Sequence, residues 1–260
     1  MEPMDTVRRI IPGPVKSLIR PVYFGVLGGN RLMVRLTLRG LALVMGKNLL
    51  LHLSHFVARE LDTVIEVDGI KFDAGEARPM ERAETLLTKE PDTINWIDRH
   101  VGTGEVFYDV GANIGVYSLY AAAKKGARVI AFEPMCTNYD ILNRNIHLNR
   151  LGGQITALNI ALHDQTVLSH LNMSAFTAGK SGHGFVRPMA GSHDEEFVPV
   201  FRQGVLGLAM DDFVERYDQP FPNHVKIDTD GSEPYVIAGM SGILADRRLK
   251  SIAIELDPDN

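Results

Sequence analysis

A glycine-bearing segment at residues 109–115, Asp-Val-Gly-Ala-Asn-Ile-Gly, lies between a short apolar stretch and a helical one. Gly111 can turn the backbone and let it approach a ligand, and Gly115 allows a helix to pack tightly on a strand. The dinucleotide fingerprint would need glycines at positions 113 and 116, which hold Asn113 and Val116. Because open α/β sheets bind ligands where strands end, the segment predicts a ligand site suited to a molecule without a pyrophosphate.

A carboxylate, Glu133, ends the next apolar segment, 128–132. An acid at this place can accept hydrogen bonds from both hydroxyls of a ribose. Taken singly, Gly111 could be an ordinary turn glycine and Glu133 an ordinary strand-end acid. Their combination favours a nucleoside-binding site.

Other groupings of reactive residues give weaker signals. Residues 178–181 (Ala-Gly-Lys-Ser) resemble the end of a Walker loop, but position 174 holds serine where glycine is required. His52 and His55 lie three positions apart with no third ligand near them, so no metal site is predicted. His183 could be a base carried on a loop, although a solvated histidine is the simpler interpretation.

The elements that must position these residues alternate along the chain. Strands are predicted at 64–67, 70–72, 106–110, 128–132, 155–162, 167–173, 197–201, 225–228 and 249–256. Helices are predicted at 81–89, 92–101, 116–125, 135–151, 210–217 and 235–244. This alternation is typical of an α/β fold with a parallel, doubly wound sheet. We expect a helical N-terminal extension over 1–62 and a main domain over 63–260, with an inserted loop region at about 163–205 that could cover a pocket.

Composition sets broad limits. The 260 residues, 45% hydrophobic and 23% charged, are typical of a globular protein. The single cysteine, Cys136, excludes a disulfide framework and favours a reducing, cytoplasmic location. The sequence contains no apolar run of about 18 residues, so no membrane span is expected.

The charge distribution is uneven. Residues 1–50 hold eight basic and two acidic side chains, a charge of +6, which leaves −11 for the rest of a chain whose total is −5. The acidic main body argues against a nucleic-acid partner. The basic N-terminal part suggests peripheral contact with an anionic membrane, unless it packs on the main body.

The order of the motifs resembles the FkbM-type S-adenosylmethionine-dependent methyltransferases. The motifs, within about 64–257, are FYDVGANIGVYSLYAA, AFEP followed by an asparagine-rich helix, NIALHD and KIDTDGSEPYVIAGM. The resemblance implies a Rossmann-like class I methyltransferase fold with S-adenosylmethionine as cofactor. It also implies O-methylation of a hydroxyl on a carbohydrate, a glycoconjugate or a small-molecule product.

The resemblance also implies roles for individual residues. The cofactor loop would comprise Asp109, Gly111, Asn113 and Gly115, with Glu133 as the ribose-binding acid and the backbone of Ala161 and Leu162 near the adenine. A second stretch, with the family pattern D-x-E-G-x-E, corresponds to Asp228, Asp230, Gly231 and Glu233. Asp230 departs from that pattern, since glutamate is usual there and aspartate is one methylene shorter.

Three of these acids, Asp228, Asp230 and Glu233, are candidate catalytic residues. An alcohol acceptor is a poor nucleophile and needs a positioned base, and neighbouring acids raise one another's proton affinity. Asp228, at the end of a predicted strand, would face the methyl group. Alternatively, Asp228 only holds the cofactor's amino group, and Glu233 is a first-turn acid stabilised by the helix dipole.

The end of the sequence raises a further expectation. A class I sheet, by the same resemblance, closes with an antiparallel hairpin, which the residues after 249–256 are too few to form. The last strand would then be an uncovered apolar edge open to self-association. The shortened Asp230 and the absent hairpin keep a catalytically inactive cofactor-binding or scaffold protein as an alternative. A nicotinamide-dependent dehydrogenase is disfavoured by Asn113 and Val116.

Overall fold

The computed structural model describes residues 46, 48, 52, 63–187, 189–190 and 195–255. Most of them belong to one compact unit that begins at Thr63. The extension predicted over 1–62 lies almost wholly outside the described residues, so its helices and its membrane contact stay predictions. Within the described residues, no helix combines the length and apolar character that crossing a bilayer requires.

The described unit contains seven helices and thirteen strands. The helices are α1 (Ala77–Glu84), α2 (Pro91–His100), α3 (Val116–Lys125), α4 (Cys136–Leu148), α5 (Met210–Arg216), α6 (Glu233–Ala238) and α7 (Ser241–Ala245). The strands are β1 (Val64–Val67), β2 (Ile70–Asp73), β3 (Val106–Val110), β4 (Arg128–Phe132), β5 (Ile155–Leu158), β6 (Ala161–Leu162), β7 (Val167–Met173), β8 (Gly184–Phe185), β9 (Met189–Ala190), β10 (Glu195–Glu196), β11 (Phe201–Leu208), β12 (His224–Ile227) and β13 (Ser251–Ile254).

A five-stranded parallel sheet forms the centre, in the order β13-β12-β3-β4-β5. Its middle strands are apolar nearly throughout because both faces are covered. Successive side chains of β3 point to opposite faces, so Phe107 packs into one apolar layer and Tyr108 into the other. The predicted doubly wound α/β fold is therefore confirmed. Within the described residues β13 is an edge strand, and self-association through it stays a prediction.

A second sheet of four strands, β6-β11-β7-β8, replaces part of the predicted inserted loop region. The single strand predicted at 155–162 is wrong, because the chain turns at Asn159, whose side-chain amide donates to the carbonyls of Glu133 and Pro134 at 2.8 Å each. After this turn β6 pairs with β11 instead of continuing in the central sheet.

Three more predicted elements need correction, the first being the helix predicted at 81–89, which the structure places at Ala77–Glu84. The strand predicted at 197–201 lies four residues further on, where β11 pairs antiparallel with the whole of β7. The helix predicted at 235–244 is divided into α6 and α7 near Gly239. A Cβ on Gly239 would lie 2.0 Å from the carbonyl oxygen of His163, so this turn packs directly on neighbouring backbone.

Candidate active site

The loop after β3 is wedged between the ends of β4 and β12. Gly111 has φ of 78° and donates its N–H to the carbonyl of Phe132 at 3.0 Å. A Cβ on Gly111 would lie 1.7 Å from the carbonyl oxygen of Asp228, so adjacent backbone already requires glycine here. Gly115 has φ of 87°, and its Cβ would lie 2.4 Å from Leu142, which agrees with the predicted tight helix packing.

Glu133 is held by the backbone on both sides of its carboxylate. One oxygen, Oε2, accepts the N–H of Asn113 at 2.7 Å, and Oε1 accepts the N–H of Met135 at 2.8 Å. The side chain is 5% exposed. Burial raises the pKa of Glu133 to about 7, against the opposing effect of the two backbone donors. The carboxylate is thus fixed in place with lone pairs left for further donors.

Asp109 lies beneath the loop, fully buried in β3. Its Oδ2 accepts the hydroxyl of Ser118 at 2.6 Å, and its Oδ1 has no partner among the described residues. Burial raises the pKa of Asp109. Its observed contact supports the start of α3.

A segment at 178–182, which we call the strap, crosses the loop. The carbonyl of Lys180 accepts the side-chain amides of Asn113 at 3.4 Å and Asn138 at 3.1 Å. Asn138 in turn accepts the N–H of Gly179 at 2.7 Å. This segment includes the sequence that resembles a Walker loop, and here its backbone accepts hydrogen bonds from two asparagines.

Two charged side chains hold the same strap from other directions. Asp230 accepts the N–H of Gly182 at 2.8 Å, and Arg82 donates to the carbonyl of Gly179 at 2.6 Å. The strap therefore joins α1, the segment after β12 and α4. Sequence reasoning missed Arg82, which belongs to no motif, and gave no role to Asn138, which belongs to the asparagine-rich helix after AFEP.

One cavity joins these features. It encloses about 840 Å³ of empty space, counted together with its open mouth. The predicted site residues that line it are Gly111, Asn113, Glu133, Ala161, Leu162, Asp228 and Asp230. Three others, Asp109, Gly115 and Glu233, lie outside the lining and support it.

Glu233, the first residue of α6, accepts three hydrogen bonds from the preceding turn. They come from the N–H of Thr229 at 2.8 Å, its hydroxyl at 2.9 Å and the N–H of Gly231 at 2.9 Å. These bonds hold the turn that carries Asp230, whose φ is 55°. The geometry gives Glu233 a positioning role.

Asp228 faces a buried ammonium. Its Oδ2 accepts from Nζ of Lys226 at 3.0 Å, and Lys226 is 3% exposed. The same Nζ lies 4.9 Å from the centroid of the Tyr117 ring. Burial alone would raise the pKa of Asp228, but the Lys226 charge outweighs burial and lowers it. Asp228 is therefore an anion at neutral pH.

Two further carboxylates complete this group. Oxygens of Glu90, Asp228 and Glu255 all lie within 4.8 Å of one another. Partial burial and the negative charges of Asp228 and Glu90 raise the pKa of Glu255 to about 7. Burial opposes the ionisation of Glu90, yet hydrogen bonds from Lys89 and Tyr117 lower its pKa. The Lys226 ammonium provides a positive charge that acts on all three carboxylates.

The lining suits a nucleoside. Glu133 offers a fixed carboxylate, and Oδ1 of Asn113 is a buried acceptor with no partner among the described residues. Both can accept from hydroxyl groups, while Phe132, Ile160 and Leu162 provide an apolar wall. The donor set of a ribose and the flat face of an adenine match these groups.

A parallel sheet with a glycine loop after one strand and a ribose-suited acid after the next is common to Rossmann-like folds, class I methyltransferases among them. The family model described as "Methyltransferase FkbM domain" matches residues 109–260, and the chain belongs to this family. Its cofactor is S-adenosylmethionine, as the residues of the cavity allow.

Two curated proteins are similar to this chain. One is the hexuronic acid methyltransferase AglP of Haloferax volcanii, 27% identical over 158 residues, which are 61% of this chain and 59% of that protein. The other is the methyltransferase sdnD of Sordaria araneosa, 46% identical over 55 residues, 21% of each chain. Both matches span less than two thirds of the relative's length.

Solved structures show a more distant likeness. The precorrin-6y C5,15-methyltransferase of Geobacter metallireducens has a TM-score of 0.38 and 16% identity over 68% of each chain. The TYW2 protein of Pyrococcus horikoshii, solved with MeSAdo, has a TM-score of 0.27 and 27% identity over 39% of this chain and 37% of that one. The family assignment depends on the sequence match alone.

Proposed function

We propose that this chain transfers a methyl group from S-adenosylmethionine to a hydroxyl oxygen of a carbohydrate, a glycoconjugate or a small-molecule product. The observation that carries the proposal is that Glu133 and Asp228, at the ends of β4 and β12, line one cavity. A nucleoside beside Glu133 would then leave the Asp228 end for an acceptor. The similarity to a protein named hexuronic acid methyltransferase supports a sugar acceptor.

Different residues of the cavity would contact different parts of the cofactor. When bound, the cofactor supplies an electrophilic methyl group on a positively charged sulfur. Glu133 and Asn113 would hold the ribose hydroxyls, and the backbone of Ala161 and Leu162 would lie near the adenine. The protein's main contribution is alignment of the acceptor oxygen and exclusion of water.

The predicted catalytic acids receive different parts in this proposal. Asp228 and Asp230 line the cavity, whereas Glu233 acts through the turn it stabilises. Because Lys226 keeps Asp228 ionised, Asp228 would provide a fixed negative charge near the developing positive charge of the acceptor oxygen. Asp230 would hold the strap closed through Gly182.

Three cations, Arg82, Lys89 and Lys180, also line the cavity. They could pair with the carboxylate of the cofactor or with that of an acidic sugar, since buried anions need such partners. Lys89 already pairs with Glu90 at 2.7 Å, which leaves Arg82 and Lys180 as the cations for an acidic sugar such as a uronic acid. Cytoplasmic location, membrane contact through 1–50 and self-association through the edge strand stay predictions beside this proposal.

Mass spectrometry of glycans and metabolites from cells with and without the protein would test the function. We expect a product that gains one methyl group. Mild alkali would separate the two chemistries, since a methyl ether on a hydroxyl survives it and a methyl ester on a uronate carboxylate does not. An alkali-labile product would contradict hydroxyl methylation. Cofactor binding by calorimetry without transfer to any acceptor would instead indicate a binding protein.

A further inference from the structure

Glu255 stands beside Asp228 at the carboxyl ends of β13 and β12. Ile254 at the end of β13 pairs with Ile227 at the end of β12, and the N–H of Glu255 donates to the carbonyl of Ile227 at 3.0 Å. This register places the side chains that follow the two strands next to each other, with oxygens of their carboxyl groups within 4.8 Å. Glu255 lines the same cavity as Gly111 and Asp228.

Asp228 is poorly suited to take a proton. Its Oδ2 is engaged by Lys226, and this buried ammonium stabilises the carboxylate over the protonated acid. A general base must gain a proton readily near the working pH. Because of Lys226, Asp228 does not gain a proton readily, although its position at the strand end had suggested that it acts as the base.

Glu255 has the opposite surroundings. Among the described residues no salt bridge joins it to a cation, and the charged groups that face it are Asp228, Glu90 and Lys226. Asp228 and Glu90 are both anions, so each makes a negative charge on Glu255 less favourable. Partly exposed and at the cavity wall, Glu255 can reach a bound acceptor while exchanging its proton with water.

We propose that Glu255 is the general base for methyl transfer, with Asp228 and Lys226 as the positioning residues that set its proton affinity; this rests on the proposed function. The acceptor O–H bond breaks and its proton passes to a carboxylate oxygen of Glu255. The O–CH₃ bond forms, and the S–CH₃ bond breaks with its electron pair left on sulfur. The neutral thioether product leaves, and Glu255 returns its proton to water.

The neighbours of Glu255 give the proposal a distinctive pH dependence. A carboxyl with its pKa raised to about 7 is largely protonated, and so inactive as a base, at pH 6. We expect turnover by the wild-type chain to rise with pH through about 7 and then to level off. An ordinary exposed glutamate, with a pKa near 4.3, would leave turnover constant over this range.

The test compares E255Q, E255D and, as a matched control on the exposed β1–β2 hairpin, E66Q. S-adenosylhomocysteine binding, measured by calorimetry, should stay within about threefold in all variants, since Glu255 lies at the opposite end of the cavity from Glu133 in this proposal. Turnover of E255Q should fall by roughly 100-fold or more and lose its rise with pH. E255D should retain part of the turnover and part of its rise with pH.

A second measurement needs no turnover. In the ¹³C NMR spectrum of chain labelled at the glutamate carboxyl carbons, two signals should titrate near pH 7, those of Glu133 and Glu255. One of the two should vanish in E255Q, and both should persist in E66Q. Turnover of E255Q within tenfold of wild type, or a Glu255 signal that titrates below pH 5, would overturn the role of Glu255 alone. A wild-type chain that binds S-adenosylhomocysteine but methylates no hydroxyl would overturn the proposed function and this role together.

Discussion

Glu133 and Asp228 occupy equivalent places, each directly after a strand of the central sheet, yet the fold treats them differently. Backbone N–H groups hold the Glu133 carboxylate, and burial raises its pKa to about 7. A buried ammonium, that of Lys226, holds Asp228 and lowers its pKa. Backbone donors thus orient an acid without cancelling the cost of burying its charge, whereas a full opposite charge does both.

The difference matches the work proposed for each end of the cavity. A nucleoside presents the same hydroxyls in every cycle, so a rigid acceptor held by backbone suits it. Proton transfer requires a group whose charge changes, and a cluster of ionisable side chains can adjust for that. Gly111 lies where the two regions meet, because it contacts the ends of both β4 and β12.

Gly111→Ala should have the largest effect, since it disturbs both regions at once. The new Cβ would meet the carbonyl oxygen of Asp228 at 1.7 Å, and the position has a φ of 78°. Overlap and backbone strain together should destabilise the fold by about 3–5 kcal/mol. We expect the melting temperature to fall by roughly 10 °C, with loss of cofactor binding by calorimetry.

The matched control is Gly152→Ala, at a glycine with open space around its position and no positive φ. It should change the melting temperature by no more than about 2 °C. A Gly111→Ala chain as stable as this control would show that the contact between the two strand ends is dispensable.

Lys226→Met should have the next largest effect, on Asp228 and on the buried Asp109, whose charge Lys226 also stabilises. It leaves the fully buried Asp109 and the partly buried Asp228 without their cation, and loss of a buried partner typically costs about 3–5 kcal/mol. In the wild type Asp228 has a lowered pKa, so its contribution is present above pH 4 and constant from pH 5 to 8. In the variant burial raises that pKa, so stability should fall as the pH rises through this window. Urea unfolding at several pH values measures the free energy of unfolding and its dependence on pH.

Lys124→Met is the control, because Lys124 pairs with Asp68 at 2.9 Å but at the surface. An exposed pair contributes about 0–1 kcal/mol, so this variant should lose little stability at any pH. Equal losses in the two variants would mean that burial of Lys226 has no energetic consequence.

The part of the cavity formed by Gly111 and Glu133, which we call the nucleoside side, could be predicted from the sequence because its signals are local. The bounds predicted for β3, α3 and β4 agree with the structure, and Gly111 and Glu133 follow directly after strands. Their contacts come from backbone groups a few residues away or from the adjacent strand. Short-range patterns encode such contacts well.

The group of charged side chains around Asp228, which we call the transfer side, could not be predicted in the same way. Glu90, Lys226 and Glu255 are far apart in sequence, and only strand order brings them together. One signal was present: Lys226 interrupts an apolar strand, and a charge inside a buried strand needs a partner. The second sheet was also missed, because β11 pairs with β6 and β7, which a long loop separates from it in sequence.

Glu133→Gln should have the smallest effect on stability and a clear effect on binding. Ribose hydroxyls donating to Glu133 favour its ionised form, so its raised pKa should fall when the nucleoside binds. Binding of S-adenosylhomocysteine at pH 6.5 should therefore release part of a proton, seen by calorimetry in buffers of different ionisation enthalpy. The variant should bind about tenfold more weakly or worse and release none.

The same measurement on E255Q sharpens the contrast between the two ends of the cavity. Because Glu255 belongs to the transfer side, E255Q should bind S-adenosylhomocysteine with the wild-type proton release. Release that persists in Glu133→Gln and disappears in E255Q would reverse the assignment. Nucleoside binding would then change the protonation of the side-chain cluster around Asp228, and Glu133 would keep its protonation state.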